Sequence, residues 1–146
     1  MVVYLYKTEP FQQTVRMASY IGSRSPMYCT GVGKSILANL PDEEIRQIWD
    51  SEEHIQFTDK TITTFSAMQE EVAKIRRNGY AIDDEEHEVG VRCIAVPIHN
   101  WKGVPVAAIS VSAPAFRMDH NAMQRFLPSM LAVANEISTM LGAKSL

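Results

Sequence analysis

Two strand-like runs joined by a short turn constrain the fold of this chain most. They are Val91 to Ile98 and Val104 to Ser112, and the turn between them reads HNWKG. Apolar and β-branched runs joined by a few residues that include Gly predict a hairpin, so the two strands pair antiparallel. A similar pattern opens the chain, where Val2 to Tyr6 and Thr14 to Ser19 flank a turn containing Pro10. We therefore expect strands in hairpins and an antiparallel sheet.

Two helices are predicted between the hairpins from their start and stop residues. Thr30 is a good N-cap, and the apolar residues after it keep helical spacing, so a helix is expected from about Gly31 to Asn39. Pro41 ends this helix. Asp42 is expected to cap the next one, because acids follow at once, where a helix N-terminus favours them.

Two further helices follow from the same kind of signal. The third begins near Thr64 and closes at Gly79, where basic residues precede the glycine. Ala113-Pro114 is expected to end the second hairpin. From Asp119 a long amphipathic helix, with Pro128 inside it, runs nearly to the C-terminus. Hairpins with helices between and after them predict an α+β fold rather than a parallel nucleotide-binding sheet.

Length and composition favour one compact, soluble domain. The chain has 146 residues, of which 46% are apolar and 21% charged, close to the globular average. A net charge of -3 disfavours nucleic-acid binding by this chain alone. No run reaches the roughly 18 to 20 apolar residues of a membrane span, and the N-terminus lacks a signal-peptide layout, so we expect a cytoplasmic protein. The strand-like run directly after Met1 suggests a piece of a longer protein.

The segment TGVGKS, Thr30 to Ser35, is similar to the end of a phosphate-binding loop. The full pattern needs a glycine five residues before Gly33, and Tyr28 stands there, so nucleotide hydrolysis is not expected. Two interpretations of the glycines stay open. The first-turn amides of Gly31 to Gly33 can bind an anion at the positive end of the helix, or the glycines serve only close packing against the sheet.

The acidic run Asp83-Asp84-Glu85-Glu86-His87-Glu88 has no catalytic or metal-binding spacing. Most of these acids are expected to be solvated, whereas Asp83, which follows an apolar run, is predicted to point inward. The four histidines are scattered and the two cysteines, Cys29 and Cys93, show no metal-finger spacing. We therefore expect neither a metal nor a cofactor.

Three small polar residues of the second hairpin form a candidate polar patch. Ser110 and Ser112 are two apart on a strand and so share a face. If the turn is nearly symmetric, Cys93 lies across the hairpin within about one residue of Ser110. A one-residue slip would move Cys93 to the opposite face, and a free cysteine in a strand is often a core residue, so both placements stay open.

Three segments carry a resemblance to a known family. They are SPMYCTGVGKSILANLP (25–41), GYAIDDEEHEVGVRCIAVPI (79–98) and AAISVSAP (107–114). Together with the final helix ending in LG, they make the whole chain resemble the effector-binding, C-terminal domain of the IclR family of bacterial transcriptional regulators. The resemblance implies a GAF-like domain with a curved antiparallel sheet flanked by helices and a long C-terminal helix.

The resemblance also implies a function for the chain. Residues 1–146 would be the sensor domain, and a winged helix-turn-helix of the parent protein, absent here, would bind DNA. The effector would be a small organic or sugar acid, and the protein would form homodimers or homotetramers whose rearrangement controls DNA binding. Two alternatives stay open: a small hydrolase with Cys93 as nucleophile and Asp83 nearby, and a structural oligomerisation module with a vestigial pocket.

Carried over motif by motif, the resemblance implies a set of effector-binding residues. They are Gly31, Val32, Asp83, Val91, Cys93, Ser110 and Ser112, with Thr14, Met17 and Ser25 along the remaining wall. Val32 stands where relatives often have alanine and is expected to narrow the pocket. The hypothesis is that a ligand carboxylate accepts hydrogen bonds from the amides of Gly31 to Gly33, while the side chains meet its hydroxyl or carbonyl groups.

Overall fold

The computed structural model describes residues 1–9 and 19–144. Its elements in chain order are β1 (Val2–Val3), β2 (Arg24–Ser25), α1 (Gly31–Leu37), α2 (Asp42–Ser51), α3 (Phe65–Asn78), β3 (Ala81–Asp84), β4 (Val91–His99), β5 (Pro105–Pro114) and α4 (His120–Met140). The predicted α+β class with antiparallel pairing and a long C-terminal helix is confirmed. Among the described residues, no helix is both long and apolar enough to cross a membrane.

The main sheet has the order β3-β4-β5, with α1 packed on one of its faces and α4 on the other. Ile94, Val96 and Ile98 of β4 are almost completely buried and pack towards α4, in a cluster that includes Met123 and Met130. The opposite face lies against the start of α1. There, a second cluster joins α1, α2 and α3 around Leu37, Trp49 and Met68. The sheet thus separates two apolar layers, and its α1 face is the one that carries polar side chains.

The register of the β4–β5 hairpin differs from the symmetric one. Cys93 lies directly opposite Ser112, and Ala95 lies opposite Ser110, so Cys93 is two positions from Ser110 rather than one. The cause is a register shift between Ile98 and His99, an irregularity that adds a residue to one strand. Opposed residues of an antiparallel pair share a face, so Cys93 and both serines still stand on the same side of the sheet.

Among the described residues, the first strand is shorter than expected and pairs with a segment that the sequence did not indicate. The strand expected over Val2 to Tyr6 is limited to Val2–Val3, and its partner is Arg24–Ser25. Most of the predicted partner, Thr14 to Ser19, lies outside the described residues, and Ser19 itself is not in a strand. The amide of Gly22, with a φ of 86°, donates to the carbonyl of Tyr4, which continues the contact between the two segments. The chain near Gly22 therefore extends the contact that pairs β1 with β2, and the turn expected near Pro10 lies outside the described residues.

Three of the predicted helix starts are confirmed by side-chain caps. The hydroxyls of Thr30 and Thr64 and the carboxylate of Asp119 each accept a hydrogen bond from a first-turn amide. The predicted cap of α2 was wrong: the N-cap is Pro41, which has no side-chain donor or acceptor, and Asp42 is the first helical residue. Asp42 still lies where its negative charge favours the helix N-terminus.

Two predicted ends were also misplaced. Helix α1 stops at Leu37 rather than Asn39, because the amide of Asn39 turns to the carbonyl of Ile36, three residues back, and tightens the last turn. Strand β5 does not break at Ala113 but continues to Pro114, which is paired with Val91. A proline is tolerated at such a strand end because its missing N–H is not needed there.

Candidate functional site

A cavity of about 1060 Å³ lies between the N-terminal segment, the start of α1 and the polar face of the main sheet. Its volume is at the upper end of the range of roughly 300 to 1,000 Å³ that is usual for small-molecule sites. Its wall combines apolar side chains such as Met27 and Ile36 with the hydroxyl, thiol and carboxyl groups that the sequence singled out.

The residues that the sequence predicted for binding are brought together around this cavity. Those among the described residues that line it are Ser25, Gly31, Val32, Asp83, Val91, Cys93, Ser110 and Ser112. Thr14 and Met17 lie outside the described residues. Segments far apart in the chain therefore converge on one space, as the predicted site required.

The start of α1 offers two backbone donors to the cavity rather than three. The amide of Gly33 donates to the Thr30 hydroxyl at 3.2 Å, and that hydroxyl donates to the carbonyl of Pro26 at 2.7 Å. The amides of Gly31 and Val32 donate to no other described residue. Because first-turn amides lack partners within their helix, these two are available to an anion.

The two glycines differ in how tightly they are packed. A Cβ on Gly31 would lie 3.4 Å from the Cβ atoms of Cys93 and Ala95, an ordinary contact with the sheet. A Cβ on Gly33 would fall 2.5 Å from the carbonyl oxygen of Met27 and collide with the backbone. Gly33 is thus explained by close packing. Gly31 brings the start of α1 against the sheet and leaves its amide beside the cavity.

The hairpin contributes a thiol and two hydroxyls. The Cys93 sulfur lies 2.8 Å from the Ser112 oxygen, and both serines are exposed on the side of β5. Burial, followed by the charge of Asp83, raises the pKa of the Cys93 thiol to about 12. The thiol therefore stays protonated at neutral pH, which is the opposite of what a nucleophilic cysteine needs.

Asp83 points inward, as expected, and is 5% exposed. Its carboxylate accepts a hydrogen bond from the amide of Glu86 at 2.8 Å. Burial raises the pKa of Asp83 to about 6, although the Glu86 amide and the charge of Lys34 work against the increase. Four of the six residues in the acidic run are partly exposed, but the burial of Glu86 was not expected.

The sequence did not single out Tyr4, which also lines the cavity. Its side chain is half-buried and forms a hydrogen bond with Ser25. Burial, together with the nearby Cys93 and Asp83, raises the pKa of the Tyr4 phenol, so it stays protonated and can donate a hydrogen bond. The available signal was alternation: Val2 and Tyr4 are two apart, and Val2 pairs with Ser25.

The lysine of the phosphate-loop-like segment does not face the cavity. Lys34 is completely buried and forms ion pairs with Glu86 at 2.5 Å and Glu71 at 3.0 Å. Burial alone would lower the pKa of Lys34, but the two carboxylates outweigh it and raise the pKa. A buried lysine satisfied by two acids does not hold a phosphate, which agrees with the spacing argument against nucleotide hydrolysis.

No group of three or more His, Cys, Asp or Glu side chains that could hold a metal ion occurs in the part of the chain that the structure describes. His54 stacks on Trp49 with ring centroids 3.7 Å apart, and His87 contacts Phe57. These histidines take part in aromatic packing.

Comparison with known proteins identifies the class to which this fold and cavity belong. The family model of the C-terminal region of the bacterial transcriptional regulator IclR matches residues 1–139. This chain therefore belongs to the IclR family, as the effector-binding domain of a regulator. The family and the similar proteins are transcriptional regulators and not enzymes.

Individual relatives support the same assignment. The HTH-type transcriptional regulator KdgR of Escherichia coli K12 is 36% identical over 141 residues, covering 97% of this chain and 53% of KdgR. The crystal structure of Thermotoga maritima IclR matches with a TM-score of 0.86 and 37% identity, over 90% of this chain and 53% of that one. The chain spans about half the length of the curated relatives it matches.

A second solved structure is informative about ligands. The inducer-binding domain of the PobR transcription factor from Acinetobacter, solved as a double mutant in complex with 3-hydroxybenzoic acid, matches with a TM-score of 0.80. It is 29% identical, over 91% of this chain and 78% of that one. A relative of the same fold is thus an inducer-binding domain solved with a hydroxylated carboxylic acid.

Proposed function

We propose that this domain binds a small organic or sugar acid in the cavity without changing it chemically. The observation that carries the proposal is a pair of amides at the cavity wall, those of Gly31 and Val32, that have no hydrogen-bond partner among the described residues. An anion there meets two N–H donors and the positive end of α1. Hydrogen bonds to a charged group are worth about 1.5 to 3 kcal/mol each, so two of them contribute a substantial share of the affinity.

The remaining polar groups suit the other end of such a ligand. Ser110 and Ser112 present hydroxyls, and Asp83 presents a carboxyl group whose pKa is raised to about 6 by burial. Together with the Cys93 thiol, they can donate to or accept from hydroxyl and carbonyl groups. The relative solved with 3-hydroxybenzoic acid supports this class, since that ligand carries one carboxylate and one hydroxyl.

The signal would pass to a separate DNA-binding domain through a change in oligomer arrangement. An effector shifts such an equilibrium only if it binds one arrangement more tightly than the other. The exposed side of α4 is a candidate contact surface, because Phe126, Leu131 and Val133 are each more than two-fifths exposed there. In the proposal the parent protein is a homodimer or homotetramer, and DNA is bound only by the separate domain.

Isothermal titration calorimetry of the 146-residue chain with 3-hydroxybenzoate, pyruvate and gluconate tests the binding step. We expect at least one acid to bind saturably, and we expect Ser110→Ala to weaken the affinity for that acid by about fivefold, as the loss of a hydrogen bond worth about 1 kcal/mol would. Ser129→Ala, an exposed serine on α4, is the matched control and should bind like the original chain.

Two outcomes would go against the proposal. Unchanged affinity in Ser110→Ala would mean that the Ser110 hydroxyl does not contact the bound acid. If none of the three acids raises the melting temperature or gives a binding isotherm, the alternative of a structural oligomerisation module with a vestigial pocket gains instead, since a ligand that binds only the folded state must stabilise it.

A further inference from the structure

Lys34 lies one helical turn beyond Gly31 on α1, behind the cavity wall, and the binding proposal does not use it. Its side chain is completely enclosed, yet it carries a charge. A buried ammonium group is costly unless its partners compensate for the lost hydration. Here the partners are Glu86 from the loop after β3 and Glu71 from α3, so the lysine ties three segments together.

Glu86 connects this buried cluster to the cavity. Its carboxylate is held by Lys34, its carbonyl accepts from the Thr61 hydroxyl at 2.6 Å, and its amide donates to Asp83 at 2.8 Å. A second carboxylate oxygen of Glu86 is buried without a hydrogen-bond partner among the described residues. Lys34 is therefore the main group that compensates the Glu86 side chain, and through Glu86 it reaches the acid in the cavity.

We propose that Lys34 is a positioning residue that sets both the orientation and the charge of the Asp83 carboxyl group from behind the cavity. The orientation is transmitted by the chain of contacts from Lys34 to Glu86 and from the Glu86 amide to Asp83. The charge is transmitted directly, because the positive Lys34 favours the ionised form of Asp83.

Among the described residues, the groups that face Asp83 leave Lys34 as the source of positive charge. They are Lys34 from α1, Asp84, Glu86 and His87 from its own strand and loop, Cys93 from β4, and Tyr4 and Cys29 from the N-terminal part, with Glu71 of α3 behind Lys34. The phenol and both thiols have raised pKa values and stay neutral, and burial lowers the pKa of His87. Of these groups, Lys34 alone is a cation at neutral pH.

The consequence for ligand binding rests on the proposed function, whereas the effect on Asp83 does not. An ionised Asp83 repels a carboxylate bound a few ångströms away. The affinity for an organic acid should therefore fall as the pH rises through the titration of Asp83. Whatever moves that titration must move the pH midpoint of binding with it.

The test measures the Asp83 titration by NMR of its side-chain carboxyl carbon in the 146-residue chain without any ligand. We expect Lys34→Met to raise the midpoint by about half a pH unit or more, because it removes the nearby cation. Glu71→Gln should lower the midpoint, since it removes a carboxylate that partly cancels the Lys34 charge. The Glu86 amide, which donates to Asp83, is a second reporter and should follow the same midpoint in the original chain.

Lys60→Met is the matched control. Lys60 is an exposed lysine that pairs with Asp84 and Glu85 of the same acidic run, and solvent screens its charge, so its loss should move the Asp83 midpoint much less than Lys34→Met does. If Lys34 served only to stabilise the fold, Lys34→Met would lower the free energy of unfolding without moving the Asp83 midpoint. Equal midpoints in the folded original chain, Lys34→Met and Glu71→Gln would overturn the proposal. If Lys34→Met does not fold, an unchanged midpoint in Glu71→Gln is sufficient to do so.

A second arm separates this proposal from the proposed function. Calorimetry with 3-hydroxybenzoate from pH 5 to 8 should give an affinity midpoint that rises in Lys34→Met and falls in Glu71→Gln. If 3-hydroxybenzoate does not bind, the function proposed for this acid fails, while the carboxyl titration still decides the role of Lys34. If 3-hydroxybenzoate binds and the pH midpoint of its affinity is the same in the original chain, Lys34→Met and Glu71→Gln, Lys34 does not control the charge of Asp83 in the site.

Discussion

Replacing Asp83 by asparagine isolates the energetic cost of keeping a titratable acid in the cavity wall. The asparagine side chain would keep an oxygen to accept from the Glu86 amide, but it cannot ionise. In the folded chain, burial raises the pKa of Asp83 from 3.8 to about 6. An acid whose pKa is raised by folding binds its proton more tightly in the folded state. Its contribution to stability is therefore complete below the pKa of the unfolded chain and is lost as the pH rises through about 6.

The size of the effect follows from that pKa difference. At about 1.4 kcal/mol per pKa unit, ionising Asp83 in the fold costs about 3 kcal/mol in total. About 2 kcal/mol of this falls between pH 4.5 and 8, because the unfolded chain has already begun to ionise at the lower pH. We therefore expect the stability of Asp83→Asn, relative to the original chain, to increase by about 2 kcal/mol from pH 4.5 to 8.

Urea denaturation followed by circular dichroism at several pH values measures this difference. Asp84→Asn is the control with the opposite sign. Burial opposes ionisation of Asp84, but hydrogen bonds from Arg92 and Lys60 outweigh it and lower its pKa. Its contribution is fully present above the unfolded pKa of 3.8 and is lost only as the pH falls below about 4, so the stability of Asp84→Asn relative to the original chain should stay nearly constant from pH 4.5 to 8 and rise only at lower pH. A difference for Asp83→Asn that is flat from pH 4.5 to 8 would refute the reasoning.

Three further predictions concern packing, the last helix and thiol reactivity. Gly33→Ala should destabilise the chain by about 1 to 3 kcal/mol, because the new Cβ collides with the backbone of Met27. Gly31→Ala should change stability little. Similar melting temperatures for the two variants would contradict the packing argument. Pro128→Ala should stabilise α4 by up to about 3 kcal/mol, because proline lacks the helical N–H, and a lower urea midpoint would count against this. Cys93 should react with iodoacetamide at pH 8 far more slowly than free cysteine, as judged by mass spectrometry of its peptide, and reaction at the free-thiol rate would contradict the raised pKa.

Much of the fold follows from local signals that the structure retains. The caps at Thr30, Thr64 and Asp119 and the αL glycine at Gly79 lie where the sequence predicted them, because each is decided by one residue and its immediate neighbours. The hairpin register was missed by about one residue, because the irregularity at Ile98 and His99 has no sequence signal comparable to a turn glycine.

The parts of the candidate site that follow from a sequence motif and from strand alternation could be predicted. The parts that depend on packing between segments far apart in the chain could not. The convergence of Gly31, Cys93 and Ser110 on one cavity was expected from the strand alternation and the family resemblance. The burial of Glu86 was not, because it depends on Lys34 reaching it from 52 residues away in the chain. An acidic run normally indicates a solvated loop, and only a buried cation makes the enclosed arrangement stable.

The measurement that bears most directly on the central claim is the response of the α1 amides to a bound acid. In a ¹H–¹⁵N spectrum of the chain titrated with 3-hydroxybenzoate, pyruvate and gluconate, the resonances of Gly31 and Val32 should shift saturably for at least one acid. The exposed turn around Trp101 should stay unchanged. Saturable binding that moves residues elsewhere and leaves Gly31 and Val32 in place, or no response to any of the three acids, would contradict the account of an anion site at the start of this helix.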